Sequence, residues 1–467
     1  MAGGTFPGSP VIIHGHNDQL GWANTVNKPD LVDIYRLELN PENENQYLFE
    51  GKWLDFDHRT VPILIRFLGP LRWTFKKDIK ISRHGPVLQT DAGNFAIKWA
   101  GKGEVRTLEF MYRLNKASNM QEFEEALKMQ AMPSINYIYA DKEGNIAHYY
   151  NAMFPERVGQ WEWQKHLPGD REELIWKNYR SFGQMPKTVN PESGLVFNAN
   201  NTPFHATDGT DEPDADDFPS SMGIELNQTN RSIQIEALLR KQQHISREDL
   251  IRVKFDKRYH QESVQATMLS KWLQTQPQNE FTDSVYLKAV EQLKQWDLSF
   301  DKDNKNAALA LFILEPVQSK GNRATYEEMS RAFEKGVSLL FDHYGTTEVA
   351  YGRISRLERG TKSLPIAGGP DVLRAVYPGV MTEEGTRADQ AGDGFTMVVS
   401  WDDNGLVSSE AIHQYGAATN ERNSPHYNDQ METFVEEKFR NVPFVKDSLL
   451  MNKTKSYRPS DFIKNVQ

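Results

Sequence analysis

The sequence predicts an α+β fold, and three observations carry that prediction. Residues 6–200 are dominated by short β-branched and aromatic runs punctuated by turn residues. Apolar spacing then becomes helical from about residue 227 to 345, and strand-like runs return over 346–440. With no internal repeat and no low-complexity linker, this order describes one domain over 1–467 with a helical insertion.

In the first block, residues 10–115 read mainly as strands, at 11–14, 19–26, 31–39, 61–67 and 95–99. The stretch V-D-I-Y-R-L-E-L within 31–39 alternates apolar and polar side chains, the period of a half-buried strand. Residues 119–130 (N-M-Q-E-F-E-E-A-L-K-M-Q) predict a helix with Asn119 as its N-cap. Residues 135–140 and 146–154 flank the turn Lys142-Glu-Gly-Asn145 and predict a hairpin. Residues 155–193, rich in Trp, Pro and Gly, read as a long ordered loop.

Beyond residue 227, Ile233, Ala237 and Leu238, then Leu250 and Val253, mark two helices. Residues 285–296, 306–314 and 326–344 predict three more. Strands are expected again at 372–377, 395–400 and 406–411, and a last helix near 429–439.

Composition narrows the function. Lys and Arg number 54 against 64 Asp and Glu, a net charge of −10, which argues against a nucleic-acid partner needing a basic face. The chain has no cysteine, which excludes disulfides, thiolate catalysis and Cys-ligated zinc. No run approaches the ~20 apolar residues of a membrane span. Residues 1–10 lack the charged and apolar regions of a signal peptide. The acidic run D-G-T-D-E-P-D-A-D-D at 208–217 reads either as a solvated loop or as a source of cation ligands.

The segment Val196-Phe-Asn-Ala-Asn-Asn-Thr-Pro203 concentrates three amide side chains, Asn198, Asn200 and Asn201, at the end of an apolar run. An amide there is an uncharged donor that can be aimed at a developing oxyanion, but it starts no reaction by itself. G-x-S-x-G, P-loop, H-E-x-x-H and G-x-G-x-x-G motifs are all absent, and His14-Gly15-His16 is not read as a metal pair.

Several segments acquire meaning as an ordered set. They are Gly15-His-Asn-Asp18, Trp22-Ala-Asn-Thr-Val26, Asp30-Leu-Val-Asp33, His84-Gly-Pro86, Asn136-Tyr-Ile-Tyr-Ala-Asp141 and Gly144-Asn-Ile146. Pro155-Glu-Arg157, Asn190-Pro-Glu-Ser-Gly194, Asn198-Ala-Asn-Asn201, Gly368-Gly-Pro-Asp371 and Ser424-Pro-His-Tyr-Asn-Asp-Gln430 follow. This set, across residues 6–440, resembles the β-subunit of the penicillin amidase and acyl-homoserine-lactone acylase family of N-terminal-nucleophile hydrolases. The resemblance implies an αββα sandwich with a helical insertion, incomplete at its N-terminus, and hydrolysis of an N-acyl amide.

In that family a serine freed at the β-subunit N-terminus attacks the amide carbonyl, and its own α-amine takes the proton. An unperturbed α-amine titrates at about 8, near working pH. Carried over residue by residue, the oxyanion donors fall on the side chain of Asn200 and the backbone N–H of Val26. Arg231 matches the arginine that holds the active-site network behind the asparagine. Asp30, the carbonyl of Val32 and Asp33 match a calcium-binding bend, with a further carboxylate expected from 208–217. Ile135 and His14 match positions lining the acyl pocket, where a histidine hints at a different acyl group or a shallower pocket.

The family's nucleophile lies well upstream of its Gly-His-Asn turn, so the resemblance places the serine, its strand and the α-subunit ahead of Met1. Thr5, after Gly4, is not read as a substitute, because it leads into the turn segment Pro7-Gly8-Ser-Pro10. Two readings follow: the β-portion of a periplasmic or secreted acylase, or a nucleophile-less relative that binds acyl ligands or a partner.

Overall fold

The computed structural model describes residues 1–69, 71–240, 242, 244–275, 283–451, 453 and 456, and of residue 68 only the backbone. These fall into two compact units. One comprises Trp22–Asp141 and Asn145–Asn227; the other comprises Met1–Gly21, Lys142–Gly144 and Gln228–Gln467.

In the 22–227 unit, the hairpin expected around residue 143 forms from Ser134–Asp141 and Ile146–Ala152, with Ile138 opposite His148 and Asn136 opposite Tyr150. Strand Leu20–Thr25 precedes it in the sheet order and Lys187–Val189 follows it. Alternation divides the hairpin into two faces. Tyr137, Tyr139 and Tyr149 point one way and pack on Phe123 at 5.0–6.2 Å between ring centroids. Asn136 and His148, both buried, share the opposite face.

Phe123 lies on Met120–Leu127, whose N-cap is Asn119 as expected, its side chain accepting from the Glu122 N–H at 2.9 Å. Such a cap contributes about 1 kcal/mol. The preceding helix, Thr107–Lys116, lies where strands were expected. Phe110 and Leu114, four residues apart, are its buried apolar positions, and Arg113 pairs with Glu109 at 2.7 Å one turn back. Its short apolar spacing, Phe110 to Leu114, reads in the sequence as part of the surrounding strands.

A second sheet orders Val87–Thr90, Gly93–Trp99, Val32–Leu37 and Leu167–Pro168. The strand expected at 61–67 is one arm of a longer two-stranded ribbon, Asp57–Leu68 paired with Leu71–Ile81.

The other unit is built on helices packed around Ala307–Ile313, in which every residue is buried. A helix apolar all round belongs at the centre of a bundle. Tyr326–Tyr344 packs on it within the same core, opened by a Thr325/Glu328 capping box and closed by Gly345 at φ 68°. Gly336 allows the approach, because a Cβ there would lie 2.6 Å from Phe312 Cβ. Asn230–Leu239, Arg247–Lys254 and Ser284–Lys294 occupy the expected places, and Val264–Thr275 is an additional helix.

The returning strands form two sheets. Phe395–Trp401, Val407–His413 and Arg440–Asn441 make one, two of them as expected. Lys362–Pro365, Ser355–Arg359, Arg387–Gly392 and Val376–Pro378 make the other. At the start of the chain, Ala2–Gly4 pairs with His14–His16, so residues 11–13 lie outside the strand expected there. Thr5 binds the Val11 carbonyl through its hydroxyl at 2.7 Å.

Candidate functional site

Strand Leu20–Thr25 ends at Thr25, and Val26 follows it, 66 % exposed. The amide segment meets it there. Asn200 adopts the left-handed conformation, φ 62°, which asparagine tolerates better than most residues because its short amide bonds locally. In that conformation its Nδ2 donates to the Val26 carbonyl at 2.8 Å. The two residues expected to act together, 174 positions apart in the chain, are therefore hydrogen-bonded.

Asn198 holds this junction. Its Oδ1 accepts from the Asn200 N–H at 2.9 Å, from Asn136 Nδ2 at 3.3 Å and from the Thr25 hydroxyl. One amide oxygen thus ties the residue before Val26 to the backbone of Asn200. The Asn198 Nδ2 reaches the Asn201 carbonyl at 3.3 Å and His148 Nε2 at 3.5 Å, and His148 Nε2 lies 3.3 Å from Asn136 Oδ1. Asn201 folds its side chain inward, accepting from the Ala199 N–H at 2.7 Å and donating to the His205 carbonyl at 2.6 Å.

Burial pushes the His148 imidazole down to about 4, so it is neutral near pH 7. A neutral imidazole places no charge beside the amides, and its Nε2 either donates to Asn136 Oδ1 or accepts from Asn198 Nδ2 according to its tautomer. Sequence reasoning missed Thr25 and His148. The available signal was Asn136 and His148, two polar residues on one face of an otherwise aromatic hairpin.

The acidic bend also holds an arginine. Asp33 is fully buried, and the enclosed guanidinium of Arg157 lies 3.0 Å from Asp33 and 3.2 Å from Asp30. Arg157 also donates to the Ser221 carbonyl, and the Trp176 indole donates to Asp33 at 2.5 Å. Burial raises the Asp33 carboxyl above its ordinary value, and Arg157 pulls it back only in part. Gly223, at φ 60°, allows the chain to pass here, since a Cβ would lie 2.4 Å from Asp30 Cβ.

Two carboxylates against one guanidinium leave a net negative charge. Asp30 Oδ2 and Asp33 Oδ1, both buried, face that single guanidinium. Buried carboxylate oxygens of that kind fit a hard cation. In the 208–217 loop, Asp211 accepts from the Glu192 N–H at 2.7 Å and Asp214 caps its own turn through the Asp216 N–H. His205 pairs with Glu212 at 3.3 Å.

Ile135, half-buried in Ser134–Asp141, stands opposite Asn151. In the other unit, Arg231 opens the helix Asn230–Leu239 and pairs with Asp371 at 3.1 Å. Asp371 also accepts from the Asn230 N–H at 3.0 Å and from Gln265 at 3.1 Å, so the Gly368-Gly-Pro-Asp371 turn caps that helix. His14 is half-buried, its ring 5.8 Å from that of Phe395. His16 has both ring nitrogens engaged, on the Asn17 carbonyl at 2.8 Å and the Ser409 hydroxyl at 2.9 Å, which leaves no pair for a metal.

The model of the family described as penicillin amidase matches residues 1–450. Penicillin G acylase of Escherichia coli is 31% identical over 208 residues, covering 44% of this chain and 24% of that protein. The acyl-homoserine lactone acylase PvdQ of Pseudomonas fluorescens Pf0-1 is 22% identical over 505 residues, covering 96% of this chain and 63% of that protein. The chain thus spans less than two thirds of the length of either relative. Among solved structures, the thermostable penicillin G acylase from Alcaligenes faecalis superposes with a TM-score of 0.67 at 20% identity, covering 97% of this chain and 90% of that one. The fold is therefore the mixed α/β acylase sandwich with helical insertions.

Proposed function

The chain belongs to the penicillin amidase family, and from that membership we propose that it carries the oxyanion side of an acylase that hydrolyses an N-acyl amide. The observation that carries the reading is the junction of Asn200 with Val26, clamped through Asn198 and bonded at 2.8 Å.

In the proposed reaction a serine hydroxyl adds to the acyl carbonyl, and the carbonyl oxygen becomes an oxyanion. The Asn200 Nδ2–H and the Val26 N–H receive that charge. The amine then leaves with a proton, and water releases the acid. Uncharged donors fixed before the reaction stabilise the anion without reorganising. The serine is assigned to a segment outside these 467 residues, together with an α-subunit as partner.

Arg231, fixed by Asp371, is proposed to stiffen the active-site network, and Ile135 and His14 to line the acyl pocket. Calcium is proposed at Asp30, the Val32 carbonyl and Asp33, where it would offset the residual negative charge in a structural role. A periplasmic or secreted setting follows from the same family reading; among the described residues no helix is long and apolar enough to cross a membrane.

Two assays test the proposal. The isolated chain, offered chromogenic acyl amides, gives no turnover; clear turnover with a burst would overturn the assignment of the nucleophile. Joined to a segment supplying the serine, it cleaves them, and Asn200→Ala lowers kcat by about 100- to 1000-fold. An unchanged kcat in that variant would overturn the oxyanion role.

A further inference from the structure

We propose that the ribbon Asp57–Leu68/Leu71–Ile81 is an arm that docks the protein on an anionic phospholipid surface. This goes beyond the acylase reading and does not depend on it.

The two strands form a sheet of their own, and every residue whose exposure is described over 62–67 and 71–78 is exposed. Neither face of the outer ribbon is therefore covered by the rest of the described chain. Register sets Ile63 opposite Phe75 and Ile65 opposite Trp73 on one face, with Leu64 opposite Thr74 and Arg66 opposite Arg72 on the other. At the far end Phe67 is 76 %, Leu71 63 % and Trp73 69 % exposed. A lone two-stranded hairpin is marginal in water, and contiguous exposed apolar surface of this kind marks a contact.

Three features point to lipid rather than a protein groove. First, Ile63, Ile65, Trp73 and Phe75 share one exposed face of the ribbon while Arg66 and Arg72 stand on the other, an amphipathic arrangement that suits apolar side chains entering a leaflet beside basic ones at its headgroups. Second, residues 57–81 hold six basic side chains against two acidic ones, a local +4 within a chain of net −10. A surface of anionic headgroups attracts that part of the molecule and repels most of the rest. Third, the order of chemistries along the arm matches the order of layers in a leaflet. Phe67 and Leu71 lead, Arg66 and Arg72 stand beside them, and Lys76 and Lys77 lie further back. Trp73 and long basic side chains suit headgroup depth. From Ile65 to Leu68 the strand rises about 10 Å, enough for the ~5–10 Å burial of an interfacial anchor.

The test is flotation of the full chain with phosphatidylglycerol-containing vesicles, with pure phosphatidylcholine vesicles as comparison. We expect binding to the anionic vesicles that falls at least about tenfold on neutral ones or at high salt. The double variant Phe67→Ser/Trp73→Ser and the charge reversal Arg72→Glu each lower it by about tenfold or more. Both alter only exposed side chains, and an unchanged circular dichroism spectrum confirms that they remain folded. Leu287→Ser, at an exposed apolar site on a helix of the other unit, leaves binding unchanged. The proposal is overturned by absence of flotation, by equal flotation of the ribbon variants, or by equal binding to both vesicle types. It is also overturned if the ribbon variants instead abolish a dimer seen by light scattering, which would make the arm a protein interface.

Discussion

Replacing Arg157 by methionine isolates the energetics of the acidic bend. The guanidinium is enclosed 3.0 Å from Asp33 and 3.2 Å from Asp30, and Asp33 is itself fully buried. Methionine keeps much of the stem's packing but leaves Asp33 a buried charge with the Trp176 indole as its remaining side-chain donor. Breaking a buried pair from one side costs about 3–5 kcal/mol, and the surviving indole bond places the loss toward the lower end. Removing both charges, as Asp33→Leu/Arg157→Met, returns most of that stability, because an apolar pair of similar volume replaces an ion pair at little cost.

Acidity supplies a second signature of the same variant. Burial already raises the Asp33 carboxyl, and losing Arg157 removes the largest opposing influence and raises it further. A carboxyl whose folded pKa exceeds its unfolded value contributes stability at low pH that is lost as pH rises through the folded pKa. The deficit of Arg157→Met is therefore largest at neutral pH and narrows as pH falls through the raised Asp33 value toward the ordinary carboxylate range. Urea unfolding followed by tryptophan fluorescence at neutral and mildly acidic pH measures both effects. A loss below about 1 kcal/mol, a double variant as unstable as the single one, or a deficit that widens in acid would each refute the reasoning.

Further expectations concern the amide junction and the cation. Asn198→Ala strips the acceptor shared by Thr25, Asn136 and the Asn200 N–H and lowers stability by about 1–3 kcal/mol in the same urea assay. His148, held down at about 4 against an ordinary 6.5, is neutral when folded. It therefore contributes stability above 6.5 that is lost as pH falls toward 4, on the order of 3 kcal/mol. His148→Gln flattens that part of the stability–pH curve, and an unchanged acid limb would sink the assignment. Calcium at about 100 times its dissociation constant stabilises the chain by about 2.7 kcal/mol, and Asp30→Asn/Asp33→Asn abolishes the effect. Equal melting with calcium and with chelator would exclude the site.

The sequence exposed those parts of the molecule whose signals are local. Asn119 announced its helix because a cap needs only its own side chain and an N–H three residues on. Tyr326–Tyr344 carried both a capping box and a terminal glycine, and its bounds were legible to the residue. The hairpin at 134–152 showed its turn chemistry between two apolar runs. Less legible was whatever depends on distant partners. Thr107–Lys116 shows only a short apolar spacing, and the burial of Phe110 and Leu114 decides the matter. Asn200 and Val26 could be paired through resemblance, but the clamp around them could not. Asn136 and His148 share a face of a hairpin that the sequence shows, but Thr25 and Asn198 join them only once the sheet forms. Arg157 could be named within a motif, yet its place between Asp30 and Asp33 depends on a contact made across more than 120 positions.

The engagement of His16 with Ser409, 393 positions apart, bears on how the chain comes to be folded at all. One unit joins Met1–Gly21 and Lys142–Gly144 to Gln228–Gln467, with the other unit written between residues 22 and 227. At roughly 5–20 residues per second, the ribosome delivers Ser409 about 20–80 s after His16. For that interval the opening segment has no native neighbour from the late strands, while the 22–227 unit is already complete and free to collapse. Folding is thus ordered by synthesis: the enclosed unit first, and the enclosing one only when its distant half emerges. Met1–Gly21 accordingly stays open to a chaperone or a protease until that half arrives.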